Sequence, residues 1–202
     1  MGSKYRIKKV FRPLIIWIAK QFQKIGITPN QVSVLGTSLA LGGSIIFSLM
    51  FDYWSSFLFA LFIFIAGIFD GVDGTLARLT NGGSIKGGFY DSVMDRYADA
   101  IIILAFLGHY PDQSEILGIP FLFWILLALI GVIMVSYTRA KAEADGVMDC
   151  DVGLAARSER LFILVIFAFL NYAYIGLIVV GILSHLTAIY RIFFVHQALR
   201  GK

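Results

Sequence analysis

Six long apolar segments dominate this 202-residue chain, near residues 31–51, 54–77, 88–109, 119–140, 159–173 and 175–195. Most approach the roughly 20 helical residues needed to cross about 30 Å of hydrocarbon. The pattern predicts an all-α integral membrane protein with six transmembrane helices. Composition agrees: 58% of the residues are hydrophobic and 15% charged, against about 25% charged in a soluble domain. A single membrane domain over residues 1–202 is expected, with the six-helix bundle at 31–195 and no separate soluble domain. Cys150 is the one cysteine, which excludes an intrachain disulfide framework and a cysteine-rich zinc site. The formal charge of +4 is modest, and its placement matters more than its size. Membrane lipids, not nucleic acid, are the expected surroundings.

Residues 4–26 are basic and amphipathic. Val10, Phe11, Leu14, Ile15, Ile18 and Phe22 recur at helical spacing, with Lys9, Arg12, Lys20 and Lys24 around them. The segment reads as an interfacial helix with its basic side toward anionic headgroups; a water-facing helix packed on the bundle is the alternative. Pro13 fits its first turn or a kink within it. Gly26 is expected to end it, and Thr28, Pro29 and Gln31 then form an N-cap, a first-turn proline and a capping box. No cleavable signal peptide is expected, because no small-residue cleavage site follows the short apolar run Leu14 to Ala19. Met1-Gly2-Ser3 does not open a myristoylation motif, because position 6 is Arg.

Basic residues orient the bundle. One set of connections holds the N-terminal cluster, Arg78, Lys86, Arg139 to Arg160, Arg191, Arg200 and Lys202. The opposite set, around Asp52-Tyr53, His109 to Pro120 and Asn171 to Tyr174, has no Lys or Arg. The positive-inside rule therefore predicts both termini in the cytoplasm. Tyr53, Trp54, Tyr110, Tyr172 and Tyr174 fall near the outer boundary as an aromatic belt.

Asp70, Asp73, Asp91 and Asp95 lie at the ends of apolar stretches, on the predicted cytoplasmic side. A buried charge there costs about 2.5–3.5 kcal/mol by insertion scales, and nearby Arg and Lys are too few to balance four carboxylates. Asp70 and Asp73 are three apart, and Asp91 and Asp95 four apart, so each pair shares a helix face. The short Asn81-Gly82-Gly83 turn makes the two helices antiparallel neighbours whose pairs converge. Carboxylates without His or Cys suit a hard cation such as Mg²⁺ or Mn²⁺. Gly67, Gly71, Gly74, Gly87 and Gly88 allow close packing or close approach of a ligand. Asp99 continues the second face one turn deeper, where inter-helix hydrogen bonding is its expected role. The structural alternative is that a carboxylate pair salt-bridges to Arg78, Lys86 or Arg96.

The pattern D-x-x-D-G-x-x-A-R-x8-G-x3-D-x3-D is met at Asp70, Asp73, Gly74, Ala77, Arg78, Gly87, Asp91 and Asp95. It resembles the signature of the CDP-alcohol phosphatidyltransferase family, and the likeness extends over essentially the whole chain. The resemblance implies metal-dependent transfer of a phosphatidyl-type group from CDP-diacylglycerol or CDP-archaeol to an alcohol, with CMP leaving. It implies that Asp70, Asp73 and Asp91 bind two metal ions and that Asp95 is the general base, touching metal as well. It also implies that Asp70, Gly74, Ala77 and Arg78 contact the nucleotide, and that the protein is a homodimer.

The stretches Ser136 to Glu143 and Gly153 to Arg160 form a second cluster. Arg suits bidentate phosphate binding, so these residues suggest an acceptor with its own phosphate. They are similar to the corresponding stretches of phosphatidylinositol-phosphate and archaetidylinositol-phosphate synthases, which implies inositol phosphate as acceptor. Arg139, Arg157 and Arg191 are the expected phosphate ligands, with Lys141 and Arg160 behind them; ordinary positive-inside charge is the alternative. Rival readings are the same transfer to glycerol phosphate or serine, a cation-coupled transporter, and a lipid-binding scaffold. His109, His185 and His196 are isolated and read as structural or interfacial, and Cys150 as a loop thiol.

Overall fold

The computed structural model describes residues 6–80, 84–110, 115–148, 150 and 152–200. Met1-Gly2-Ser3, the Asn81-Gly82-Gly83 turn, Lys202 and the side chain of Lys9 lie outside the described residues. The chain forms helices α1 (Arg6–Lys24), α2 (Pro29–Leu49), α3 (Tyr53–Thr80), α4 (Ile85–His109), α5 (Phe121–Ala144), α6 (Arg157–Phe169) and α7 (Ala173–Arg200). Between α4 and α5 runs a two-stranded hairpin, β1 (Glu115–Ile116) and β2 (Ile119–Pro120). The hairpin has no counterpart among the sequence expectations. Its turn residues, Leu117 and Gly118, both take positive φ.

Local signals set the ends of the early helices. Gly26 has φ 75° and follows α1, while the Ile27 amide donates back to the Phe22 carbonyl at 3.0 Å. Thr28 then caps α2: its amide donates to Gln31 Oε1 at 2.9 Å, and its hydroxyl accepts from the Gln31 amide. Pro13 lies within α1 and not in its first turn.

The chain packs as two compact units, Ile7–His109 and one made chiefly of Tyr110–Lys202. In the first, α2 is the central element. It runs antiparallel to α3, with Ser33 at Asp73, Gly36 at Phe69, Gly43 at Phe62 and Phe47 at Phe59. It runs parallel to α4, with Asn30 beside Gly87 and the Ser48 hydroxyl donating to the Ala105 carbonyl at 2.9 Å. Small buried residues on α2 (Gly36, Ala40, Gly43 and Ser44) permit this close approach on two sides. Helices α3 and α4 thus run antiparallel, as expected, and touch where Phe59 meets Phe106 edge-on at 5.9 Å. Each packs extensively on α2, and the backbones of α3 and α4 make few close approaches to each other. Phe47 joins the three helices at one end, stacked on Phe59 at 4.3 Å and edge-on to Phe106 at 5.1 Å. His109 stacks on Phe47 and its Nδ1–H serves the carbonyls of Phe47 and Met50, a structural role as expected.

Helix α1 lays Ile15 and Ala19 against Val32, Val72 and Leu76. Phe11 meets Phe64 edge-on at 5.5 Å and Phe22 meets Phe69 at 5.9 Å. Its apolar face is therefore engaged by α2 and α3, while Val10, Leu14 and Trp17 form an exposed stripe.

In the second unit α5 and α7 run parallel. Leu127 pairs with His185, Ala128 with Gly181, Gly131 with Ser184, and Val135 with Arg191. Two parallel neighbours require a return between them, and α6 provides it, packing its Leu164 and Phe167 against Gly176 of α7. The α6–α7 break falls at Asn171 (φ 62°), where the Tyr172 amide bonds the Phe167 carbonyl at 2.8 Å.

Helices α2, α3, α5 and α7 are long and apolar enough to cross a membrane, and the protein is a multi-pass membrane protein. The other two expected spans are helical but fall short of that description. Helix α4 carries Asp91, Asp95, Arg96 and Asp99, and α6 has 13 residues, a rise of only about 20 Å.

Candidate active site

Both halves of the carboxylate pattern stand around the first turns of α2. Asp73, on α3, is 6% exposed. Its Oδ2 accepts from the Ser33 hydroxyl at 2.7 Å, and its Oδ1 accepts from the Gly74 amide. The charges of Asp70, on the same helix, and Asp91, on α4, both act on Asp73. Three of the four carboxylates thus act on one another electrostatically, and α2 reaches that set through Ser33. Asp95, half-buried one turn past Asp91, is 3.5 Å from Arg96 Nη2. That contact realises the salt-bridge alternative at one carboxylate. Asp99 is 5% exposed, deeper in α4.

The arrangement has a clear electrostatic consequence. A buried carboxylate with two acidic neighbours is stable only with compensating donors or cations. Ser33 and the Gly74 amide supply two hydrogen bonds and no charge. The oxygen-only donor set fits a hard divalent ion. Among the described residues, no three His, Cys, Asp or Glu side chains form a ready metal-holding group. The carboxylates are a divided set, two on each helix, joined through α2.

The glycines separate by what lies beside them. A Cβ on Gly71 would fall 2.7 Å from Ile15 Cδ1, so that glycine seats α1 on α3. Gly87 lies close to Ser84 Oγ and Asn30 Oδ1. At Gly74 nothing is nearer than Arg78 Nη1 at 3.8 Å, and at Gly88 nothing lies within 4 Å. Gly74 is thus not needed for packing and leaves open space on the face it shares with Ala77 and Arg78. Arg78 is exposed and donates from Nη2 to the Thr75 hydroxyl at 3.1 Å.

The residues of the basic cluster differ in their surroundings. Arg139 and Lys141 are exposed on α5, paired with Glu143 at 2.8 Å and Asp145 at 2.7 Å. Arg157 is half-buried at the start of α6, whose N-cap residue Ala156 makes no side-chain hydrogen bond. Arg160 is 3% exposed and donates to the Ala155 carbonyl at 2.9 Å. Arg191, 2% exposed, donates from Nε to the Val152 carbonyl at 2.9 Å and from Nη1 to the Val135 carbonyl. Arg160 and Arg191 therefore hold backbone in addition to any ligand role, which charge placement alone did not indicate. Ser33 and Asn30 were not anticipated either. A lone Ser or Asn near a helix start carries almost no signal, because capping and turn roles place such residues there routinely.

Residues 26–194 match the model of the CDP-alcohol phosphatidyltransferase family. The chain belongs to that family. It is 37% identical over 193 residues to archaetidylinositol phosphate synthase of Pyrococcus horikoshii, covering 96% of this chain and 95% of the relative. Among solved structures it is similar to phosphatidylinositol phosphate synthase of Mycobacterium tuberculosis with CDP-DAG bound. There the TM-score is 0.74 and the identity 26%, covering 91% of this chain and 94% of the other. The same enzyme in complex with manganese and citrate matches with a TM-score of 0.74 and 26% identity, over 90% and 88% of the two chains. As a CDP-alcohol phosphatidyltransferase, the protein is a phosphotransferase of phospholipid biosynthesis. Membership answers the transporter and scaffold alternatives.

Proposed function

We propose that the protein transfers a phosphatidyl-type group from CDP-diacylglycerol or CDP-archaeol to the hydroxyl of inositol phosphate, releasing CMP. The observation that carries this reading is the gathering of Asp70 and Asp91 on the buried Asp73 around the start of α2. The acceptor follows from the relatives, which are named as archaetidylinositol phosphate and phosphatidylinositol phosphate synthases.

Asp70, Asp73 and Asp91 hold two Mg²⁺ or Mn²⁺ ions, with Asp95 touching the same site. When bound, such ions would supply the positive charge that stabilises a leaving phosphate. The open face of Gly74 and Ala77 receives the cytidine, and Arg78 and Asp70 contact the nucleotide. Asp95 takes the proton of the acceptor hydroxyl as oxygen bonds to the lipid-side phosphorus and the bond to CMP breaks. Arg139, Arg157 and Arg191 bind the acceptor phosphate, with Lys141 and Arg160 behind them. A guanidinium has five N–H donors and can serve a carbonyl and a phosphate together. The start of α6 also favours an anion beside Arg157 through the helix dipole.

Six membrane spans are part of this reading. Helix α4 runs alongside α2 from Asn30 and Gly87 to Ser48 and Ala105, and the parallel pair α5 and α7 needs a crossing between its members, which supports including α4 and α6. Helix α1 lies at the interface, both termini and the carboxylates face the cytoplasm, and the protein is a homodimer.

CMP release tests the proposal, with CDP-diacylglycerol and CDP-archaeol as donors and inositol phosphate, glycerol phosphate and serine offered separately, with and without Mg²⁺ or Mn²⁺. Metal-dependent release with inositol phosphate is expected. Release only with another acceptor would overturn the acceptor, and release undiminished in EDTA would overturn the metal.

A further inference from the structure

We propose that Thr187 is a positioning residue for the acceptor. It locks the Val152–Ala156 turn so that Arg157 is presented at the head of α6. The inference rests on the reading of Arg157 as a phosphate ligand, and it concerns a residue with no part in the signature or the basic cluster.

The turn is held by side chains of the helices around it. Arg191 takes the Val152 carbonyl, Arg160 takes the Ala155 carbonyl, and the Ala155 amide donates to Thr187 Oγ1 at 3.1 Å. Gly153, between these points, has φ 108°, a region that L side chains rarely adopt. A Cβ built on it would overlap Thr187 Cγ2. Thr187 is buried at 3% exposure and uses both branches of its side chain. Its methyl occupies the space that Gly153 leaves, and its hydroxyl accepts the Ala155 amide two residues later.

The consequence reaches Arg157 through the backbone. Ala156 is the N-cap of α6 but makes no side-chain capping bond. The direction in which the chain enters α6 is therefore set by the turn and not by a cap. Arg157 is the first residue after it, one peptide beyond the locked segment. Releasing the Ala155 amide lets the turn relax, and the guanidinium of Arg157 then spends less time where a phosphate meets it. Arg160 and Arg191 belong to the proposed acceptor site, so they cannot test this; Thr187 has no assigned part in that site and contacts the turn at Gly153 and Ala155.

Threonine can be divided chemically. Thr187→Val keeps the shape and the methyl but leaves the Ala155 amide unpaired, whereas Thr187→Ser keeps the acceptor oxygen. The experiment combines steady-state kinetics in detergent or proteoliposomes with hydrogen exchange over residues 147–156 without substrates. Thr187→Val is expected to exchange faster at Ala155 and to raise KM for inositol phosphate about tenfold, the effect of one lost buried hydrogen bond. Its kcat and its KM for the CDP-lipid should stay within about twofold, and Thr187→Ser should restore most of both readouts. Gly153→Ala strains the same turn from the other side and should reproduce the KM effect, which keeps the test open if Thr187→Val folds poorly. Unchanged exchange with intact inositol phosphate turnover would overturn the lock. Faster exchange with no KM change, or with equal changes for both substrates, would overturn the positioning role. Wild-type turnover only with serine would instead overturn the acceptor reading, and the positioning role with it.

Discussion

Asp73 is the residue around which the chemistry is organised. It is buried, it bears the charge of Asp70 and Asp91, and its one side-chain donor among the described residues is the Ser33 hydroxyl at 2.7 Å. A hydroxyl on a buried carboxylate fixes its rotamer, and such outer partners typically change metal affinity by about 10–100-fold when removed. Ser33→Ala is therefore expected to raise the Mg²⁺ or Mn²⁺ concentration for half-maximal CMP release at least about tenfold, with little change in KM for the CDP-lipid. An unchanged metal titration would mean that Ser33 serves packing only. Asp95 is assigned proton transfer, so Asp95→Asn should lower kcat by about 10²–10⁴-fold while CDP-lipid binding survives. Retention of near-normal kcat would move the base elsewhere.

At the scale of helices, α2 is the element that makes the site. Its small residues let α3 and α4 approach it from two sides, and Gly43 is the closest point: a Cβ there would lie 2.6 Å from Phe62 Cβ. Gly43→Val should cost about 1–3 kcal/mol through overpacking, read as a lower melting temperature in detergent. Gly74→Ala is predicted to behave in the opposite way. With nothing nearer than 3.8 Å to the added carbon, stability should hold or rise slightly, while KM for the CDP-lipid increases. Equal stability losses in both variants would remove the distinction between packing glycines and ligand-facing ones. The elements themselves were legible in the sequence, since apolar run length and caps such as Thr28 and Gly26 are local properties. The β1–β2 hairpin was not, because its turn residues Leu117 and Gly118 form no strong turn signal.

At the scale of the whole molecule, function depends on which side of the membrane receives the two ends of each helix. The single cysteine, Cys150, is buried, so an introduced thiol can be labelled without background. With a membrane-impermeant maleimide on intact cells, Tyr53→Cys should react and Leu199→Cys should react only after permeabilisation. Both residues are exposed in the structure, and the proposed orientation puts Tyr53 outside and Leu199 inside. The reverse labelling would invert the assigned orientation; labelling of both from outside would require a different number of spans.

What the sequence determined by itself was the class of fold, the helix boundaries to within a few residues, and the family. These depend on hydrophobic run length, capping chemistry and the register of Asp70, Asp73, Gly74, Ala77, Arg78, Gly87, Asp91 and Asp95, all short-range properties of the chain. The tertiary structure alone decided that α2 packs against both carboxylate-bearing helices. It alone decided that Ser33 reaches Asp73, and that Arg160, Arg191 and Thr187 hold the turn before α6. Apart from Arg160, whose carbonyl partner is 5 positions away, these are choices of partner across about 30 to 60 positions of sequence. Periodicity shows which face of a helix is apolar, but the partner it meets depends on how small and large residues interlock in three dimensions.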